Sequence, residues 1–135
     1  MDIAVLIKQV PVSNDVSVDP ETHALIRSSS EGMINPADLN AIEAAMVLKE
    51  QTGGKVAVFT MGPTDAEKAL RDAMALGCDE SCLITDRCLA GGDTIATAKV
   101  LARSIEKYGK FDLILSGALS ADGATGQVGA MVAEY

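Results

Sequence analysis

The sequence holds no Trp, two Tyr, two Phe, one His, three Cys and only four Pro in 135 residues. With so few aromatic side chains there are few platforms on which bases could stack. The formal charge of −8, with a pI near 4.5, argues further against nucleic acid, whose phosphate backbone is bound by accumulated Lys and Arg. Cys78, Cys82 and Cys88 cannot all pair, show no C-x-x-C spacing and lie far in sequence from His23, so neither a zinc site nor a redox dithiol is expected. Odd, unpaired cysteines fit a reducing compartment. Cys82, in the run Ser81-Cys82-Leu83-Ile84, is expected to be a small buried hydrophobe. No apolar run is long enough to cross a membrane, and the N-terminus carries an acid, Asp2, where a secretory leader would carry a base. The expected location is the cytoplasm.

What is present is an ordinary globular composition, 48% hydrophobic and 22% charged with 12 Gly, which excludes disordered and collagen-like classes. The length suits one domain over residues 1–135. The closing residues Met131-Val132-Ala133-Glu134-Tyr135 look like a helix cut in its second turn, so a chain truncated at its C-terminus is expected.

Apolar runs and helical segments alternate. Ile3 to Ile7 is a continuous apolar run bounded by Lys8 and Pro11, the pattern of a strand covered on both faces. Val16 to Val18 and Ala24 to Arg27 flank an Asp19-Pro20 turn and predict a small hairpin, with His23 in its turn. Asn35 as N-cap and Pro36 at the first helical position open a helix that runs toward Gly53-Gly54, with apolar residues at 39, 42, 46 and 48. Lys55 to Met61 is a second buried strand. Thr64 and Glu67 have capping-box spacing before a helix whose apolar face is Ala66, Ala69, Leu70, Ala73, Met74 and Leu76, stopped by Gly77. Glu80 to Thr85, a helix from Thr94 to about Tyr108, and Phe111 to Ser116 follow in the same alternation. This order predicts an α/β fold, an open parallel sheet with helices on both faces.

In such a sheet ligands bind outside the carboxyl ends of the strands, where strand order reverses and helix N-termini attract anions. Four loops therefore matter: 8–15, 33–38, 61–65 and 117–129. The last contains Gly117, Gly123, Gly126 and Gly129 with Ser120, Thr125 and Gln127, and leads into a helix. Small residues let backbone N–H groups approach a phosphate closely. A Gly-rich connection whose polar residues merely cap the next helix has the same composition, and spacing does not separate the two. Neither G-x-G-x-x-G after the first strand nor a P-loop is present. No Ser-His or Cys-His constellation can be assembled except through His23, and Glu43, Glu50, Asp72 and Glu106 fall on helix faces where solvation is the default. Asp112 marks the start of a strand. No catalytic residue and no metal ligand is expected; the chain reads as a binding scaffold.

Lys8-Gln9-Val10-Pro11, Ile34 to Asp38, Ala73 to Asp79, and Gly117 to Gly129 with Asp122 and Gln127-Val128-Gly129 together resemble the beta subunit of electron-transfer flavoproteins. The resemblance runs over all 135 residues in one register and covers the N-terminal half or so of a typical subunit. It implies an adenine-nucleotide alpha-hydrolase-like fold and a heterodimer with an alpha subunit that holds most contacts to a redox-active FAD. The beta subunit then binds AMP or, in electron-bifurcating members, a second FAD, and the complex carries electrons from dehydrogenases, such as those acting on acyl-CoA in fatty acid oxidation, to an acceptor oxidoreductase. The nucleotide contacts so implied are Leu6, Asn35, Pro36, Ala37, Asp38 and Met61, followed by Ala118, Leu119, Ser120, Asp122, Gly123, Thr125, Gly126, Gln127, Val128 and Gly129. Adenine would meet backbone near Leu6 and Met61, with phosphate at Thr125 and Gln127. The chain departs from the family at Ala118-Leu119, where members often carry Lys or Arg followed by Gln. Two alternatives keep the adenine nucleotide but change the role: an adenylating enzyme, whose Ser-Gly-Gly-x-Asp-Ser loop is replaced here by Lys8 to Pro11, or a homodimeric stress-type sensor, whose spaced glycines Gly117 to Gly129 do not match.

Overall fold

The computed structural model describes residues 1–12, 17–18, 20–21, 25–26 and 32–135. In chain order the elements are β1 (Ile3–Leu6), β2 (Gln9–Pro11), β3 (Ser17–Val18), β4 (Leu25–Ile26), β5 (Gly32–Ile34), α1 (Pro36–Thr52), β6 (Val56–Met61), α2 (Glu67–Ala75), β7 (Glu80–Ile84), α3 (Thr94–Tyr108), β8 (Leu113–Ser116) and α4 (Val128–Glu134). Short 3-10 turns at Thr64–Ala66 and Arg87–Leu89 precede α2 and α3.

Four strands form one parallel sheet in the order β7-β6-β1-β8. Ile3 lies opposite both Val56 and Leu113, and Leu6 opposite Phe59 and Ser116, so β1 is paired along its whole length on both sides. Strand periodicity sends alternate residues to opposite faces. Ile3, Val5, Val56 and Val58 pack with Ala41, Ile42, Ala45, Ala69, Leu70 and Ala73 of α1 and α2. Ala4, Leu6, Ala57 and Phe59 pack with Ala98, Leu101, Ala102 and Ile105 of α3 and with Val132 of α4. Helices on both faces are thus as the alternation predicts. Full burial of each large side chain, Phe59 or Val58 for example, contributes about 1.5–3 kcal/mol. Cys82 is only half-buried because β7 is an edge strand, while Cys78 is buried. No helix among the described residues is long and apolar enough to cross a membrane.

β3 and β4 pair antiparallel, as the hairpin reading requires; His23 lies outside the described residues. A second antiparallel pair, β2 with β5, was not expected. It carries the chain from the end of β1 to the start of α1. The helix ends also depart from local expectation. Thr64 and Glu67 form no capping box, since Thr64 begins a 3-10 turn and α2 starts at Glu67. The orphan N–H of Ala69 is instead satisfied by Gln9 Oε1 at 3.2 Å, a cap supplied from β2, 60 residues earlier. At α3, Asp93 is a true N-cap, accepting from Ala96 N at 2.8 Å. Leu39 is exposed, because Asp38, Ala41, Ile42 and Ala45 are the residues that α1 turns inward.

Candidate functional site

The sheet order reverses between β1 and β8: from β1 the chain builds outward through β6 to β7, then returns to the other side of β1 as β8. There the carboxyl ends of β1, β6 and β8 open into a crevice of about 430 Å³. The N-terminal ends of α1, α3 and α4 contribute Asp38, Thr94 and Val128 to its wall.

Two buried polar residues hold this region together. Asn35, 1% exposed, sits in the N-cap position of α1 but its side chain does not cap that helix. Its Nδ2 donates to Leu119 O at 2.8 Å and its Oδ1 accepts from Ala121 N at 2.9 Å. Its backbone N–H donates to Lys8 O at 2.8 Å. One residue therefore ties the turn after β1 to the loop after β8. Asp38 performs the same task with its carboxylate, which accepts from Lys8 N at 2.8 Å and is also hydrogen-bonded by the Asn35 side chain and the Gly117 backbone. Burial raises the Asp38 pKa, and these hydrogen bonds oppose the rise without cancelling it. Gly117 must approach this closely: a Cβ there would overlap the Asp38 carboxylate and stand 2.8 Å from the Ala37 carbonyl carbon.

Beyond Gly117 the loop doubles back. Ala124 N donates to Ser120 O at 2.9 Å, and Ala124 takes a φ of 49°, a left-handed conformation that costs a residue with a Cβ about 1 kcal/mol. Lys8 Nζ reaches Asp122 Oδ1 at 2.7 Å, and the same carboxylate oxygen accepts from Gly123 N at 2.7 Å. Burial pushes the Asp122 pKa up, but the Lys8 ammonium, Gly123 N–H and Ser120 hydroxyl outweigh it, so the carboxyl lies below its ordinary range.

Of the residues singled out from sequence, Leu6, Asp38, Met61, Ala118, Leu119, Ser120, Gly123, Thr125, Gly126, Gln127, Val128 and Gly129 line the crevice. Asn35, Pro36, Ala37 and Asp122 do not; Asn35 and Asp122 act on residues that do, through the hydrogen bonds above. Sequence reasoning missed the loop after β7. Leu89 to Asp93, with Thr94, Thr97 and Leu101 of α3, close the remaining side. The signal was available in Gly91-Gly92-Asp93-Thr94, a strand-to-helix junction with two glycines and an N-cap. Among the described residues no cluster of His, Cys, Asp and Glu could hold a metal ion.

The wall thus combines glycine-rich backbone and helix starts with larger side chains such as Leu6, Met61, Leu101 and Lys8. The electron transfer flavoprotein domain matches residues 22–135. The chain is 53% identical, over 99% of its length and 51% of the relative's, to the electron transfer flavoprotein subunit beta of Thermoanaerobacterium thermosaccharolyticum. It is 46% identical to the caffeyl-CoA reductase-Etf complex subunit CarD of Acetobacterium woodii, covering 99% of this chain and 52% of that one. It is also 46% identical to the protein FixA of Bradyrhizobium diazoefficiens, covering 96% and 46%. The chain spans about half the length of these curated relatives. With the domain matched over most of its residues, the chain belongs to the electron transfer flavoprotein family.

Proposed function

We propose that residues 1–135 are the adenine-nucleotide-binding part of an electron-transfer flavoprotein beta subunit, holding AMP or the adenylate portion of a second FAD in the crevice at the β1–β8 switch point. The observation that carries this reading is the convergence there of the Gly117–Gly129 loop with three helix starts around a volume inside the roughly 300–1,000 Å³ range of small-molecule sites. Among the described residues, no aromatic side chain lines the crevice. An isoalloxazine ring would find nothing to stack on, whereas adenine, ribose and phosphate are served by backbone and small polar groups. Leu6 and Met61 are the proposed neighbours of adenine, and Thr125 and Gln127, at the start of α4, those of phosphate.

The activity follows from the assembly rather than from this chain's side chains. In this proposal an alpha subunit holds the redox-active FAD, and the complex accepts electrons from dehydrogenases of the acyl-CoA type and delivers them to an acceptor oxidoreductase. The flavin supplies the electron transfer; the protein positions it and tunes its surroundings. The name of the Acetobacterium relative, a subunit of a reductase-Etf complex, supports a partnered carrier over a free-standing enzyme. The free thiols of Cys78, Cys82 and Cys88 suit a cytoplasmic setting.

The test is co-purification of the full-length subunit with its alpha partner, followed by mass spectrometry of the extracted nucleotides. A yellow heterodimer yielding AMP and one FAD, or two FAD, is expected. A colourless monomer that hydrolyses ATP would overturn the reading in favour of an adenine-nucleotide enzyme of related fold.

A further inference from the structure

Among the described residues lining the crevice, Lys8 alone carries positive charge, against the carboxylates of Asp38 and Asp93. In a chain of net charge −8, Lys8 is thus the one side-chain cation among them that an anionic ligand can meet beside the helix starts. In the structure its ammonium is on Asp122, which stands outside the crevice lining. The lysine backbone is pinned at both groups, N–H to Asp38 and C=O from Asn35, while its four-carbon side chain is 46% exposed. A fixed root with a flexible stem allows the charge to move without the loop moving. The Asp122 carboxylate is 40% exposed and keeps Gly123 N–H and the Ser120 hydroxyl as partners when Lys8 leaves, so release strands no buried charge. An ion pair this open to water is held weakly.

We propose that Lys8 is the phosphate-recognising cation of the crevice and that Asp122 is its resting counter-ion, so that an adenylate's phosphate displaces Asp122 from Lys8. This rests on the crevice being a nucleotide site. It separates two residues that a simple brace would treat alike: Lys8 favours the ligand and Asp122 competes with it.

The test is calorimetric titration of the full chain and its Lys8→Gln and Asp122→Asn variants with AMP and with adenosine, at two salt concentrations. Lys8→Gln is expected to weaken AMP roughly 10-fold or more while leaving adenosine unchanged, and to flatten the salt dependence of AMP binding. Asp122→Asn is expected to tighten AMP about 2–5-fold. Equal loss of AMP and adenosine in Lys8→Gln would overturn the proposal by showing a structural role, and so would an Asp122→Asn variant that weakens AMP. AMP binding unaffected by Lys8→Gln would overturn it while leaving the nucleotide site intact. Failure of the unaltered chain to bind either ligand would overturn both.

Discussion

The two ends of the central sheet are built from the same residue types and put to opposite use. At the amino end the carboxylates are answered by the chain's own donors. Asp2 Oδ1 accepts from Lys55 N at 3.0 Å, Asp112 Oδ2 from Asp2 N at 2.7 Å, and Asp79 Oδ2 from Val56 N at 2.8 Å. Lys49 reaches Asp79 at 2.7 Å and Lys55 reaches Glu80 at 2.9 Å. That end is closed. At the carboxyl end the polar side chains that hold the structure, Asn35 and Asp38, are buried at the roots of the loops, and the crevice is lined by glycine-rich backbone, helix starts and side chains such as Leu6, Met61, Thr125 and Gln127. Bracing by Asn35 and lining of the crevice are thereby divided between residues, with Asp38 serving both.

Three substitutions bear on this contrast. The largest effect is expected at Gly117→Val, whose side chain would overlap Asp38 and the α1 backbone, 2.9 Å from Asp38 N; a loss of about 3 kcal/mol or more in urea denaturation is expected. A loss under about 1 kcal/mol would show that β8 does not bear on α1. Asn35→Ala is expected to cost about 1–3 kcal/mol, because Leu119 C=O and Ala121 N–H lose their partner, and to speed amide exchange at Ala121. Exchange that accelerates instead across the whole sheet would break the division of labour. The smallest effect belongs to the amino end: Asp79→Asn is expected to cost about 1 kcal/mol or less at neutral pH.

That last substitution has a pH signature. The Lys49 ammonium, followed by Val56 N–H, holds the Asp79 carboxyl below its ordinary range. Its contribution is therefore present above the unfolded-chain pKa and is lost as pH falls through the folded one. Asp38 has the opposite sign: burial raises its pKa, so its contribution is complete in acid and declines as pH rises through the folded value. Asp79→Asn should flatten the acid limb of a stability–pH curve, and a steeper limb would contradict the pairing.

Much of this was legible from residue order. The apolar runs of β1 and β6 are continuous because both faces are covered, and α3 runs from Thr94 to Tyr108 as the alternation of segments predicts. What could not be read locally was the use of polar side chains at a distance. Asn35 has the right identity and position for a helix cap, yet its amide is taken by a loop more than 80 residues away. Gln9 caps a helix 60 residues on. Strands β2 and β5 have three residues each, too few for periodicity to show. In the crevice, loops with glycines could be found by the sheet rule, whereas Lys8's hold on Asp122 exists only once β1 and β8 are side by side.

The position of β1 also bears on how the molecule is made. Strand β1 is paired on both sides, with partners at Val56–Met61 and at Leu113–Ser116, both distant from it along the chain. Assembly of the sheet is therefore dominated by contacts distant along the chain and is correspondingly slow. The crevice, which needs β1 and β8 together, forms only once that pairing is made; a ligand bound there would stabilise only chains that have completed the sheet.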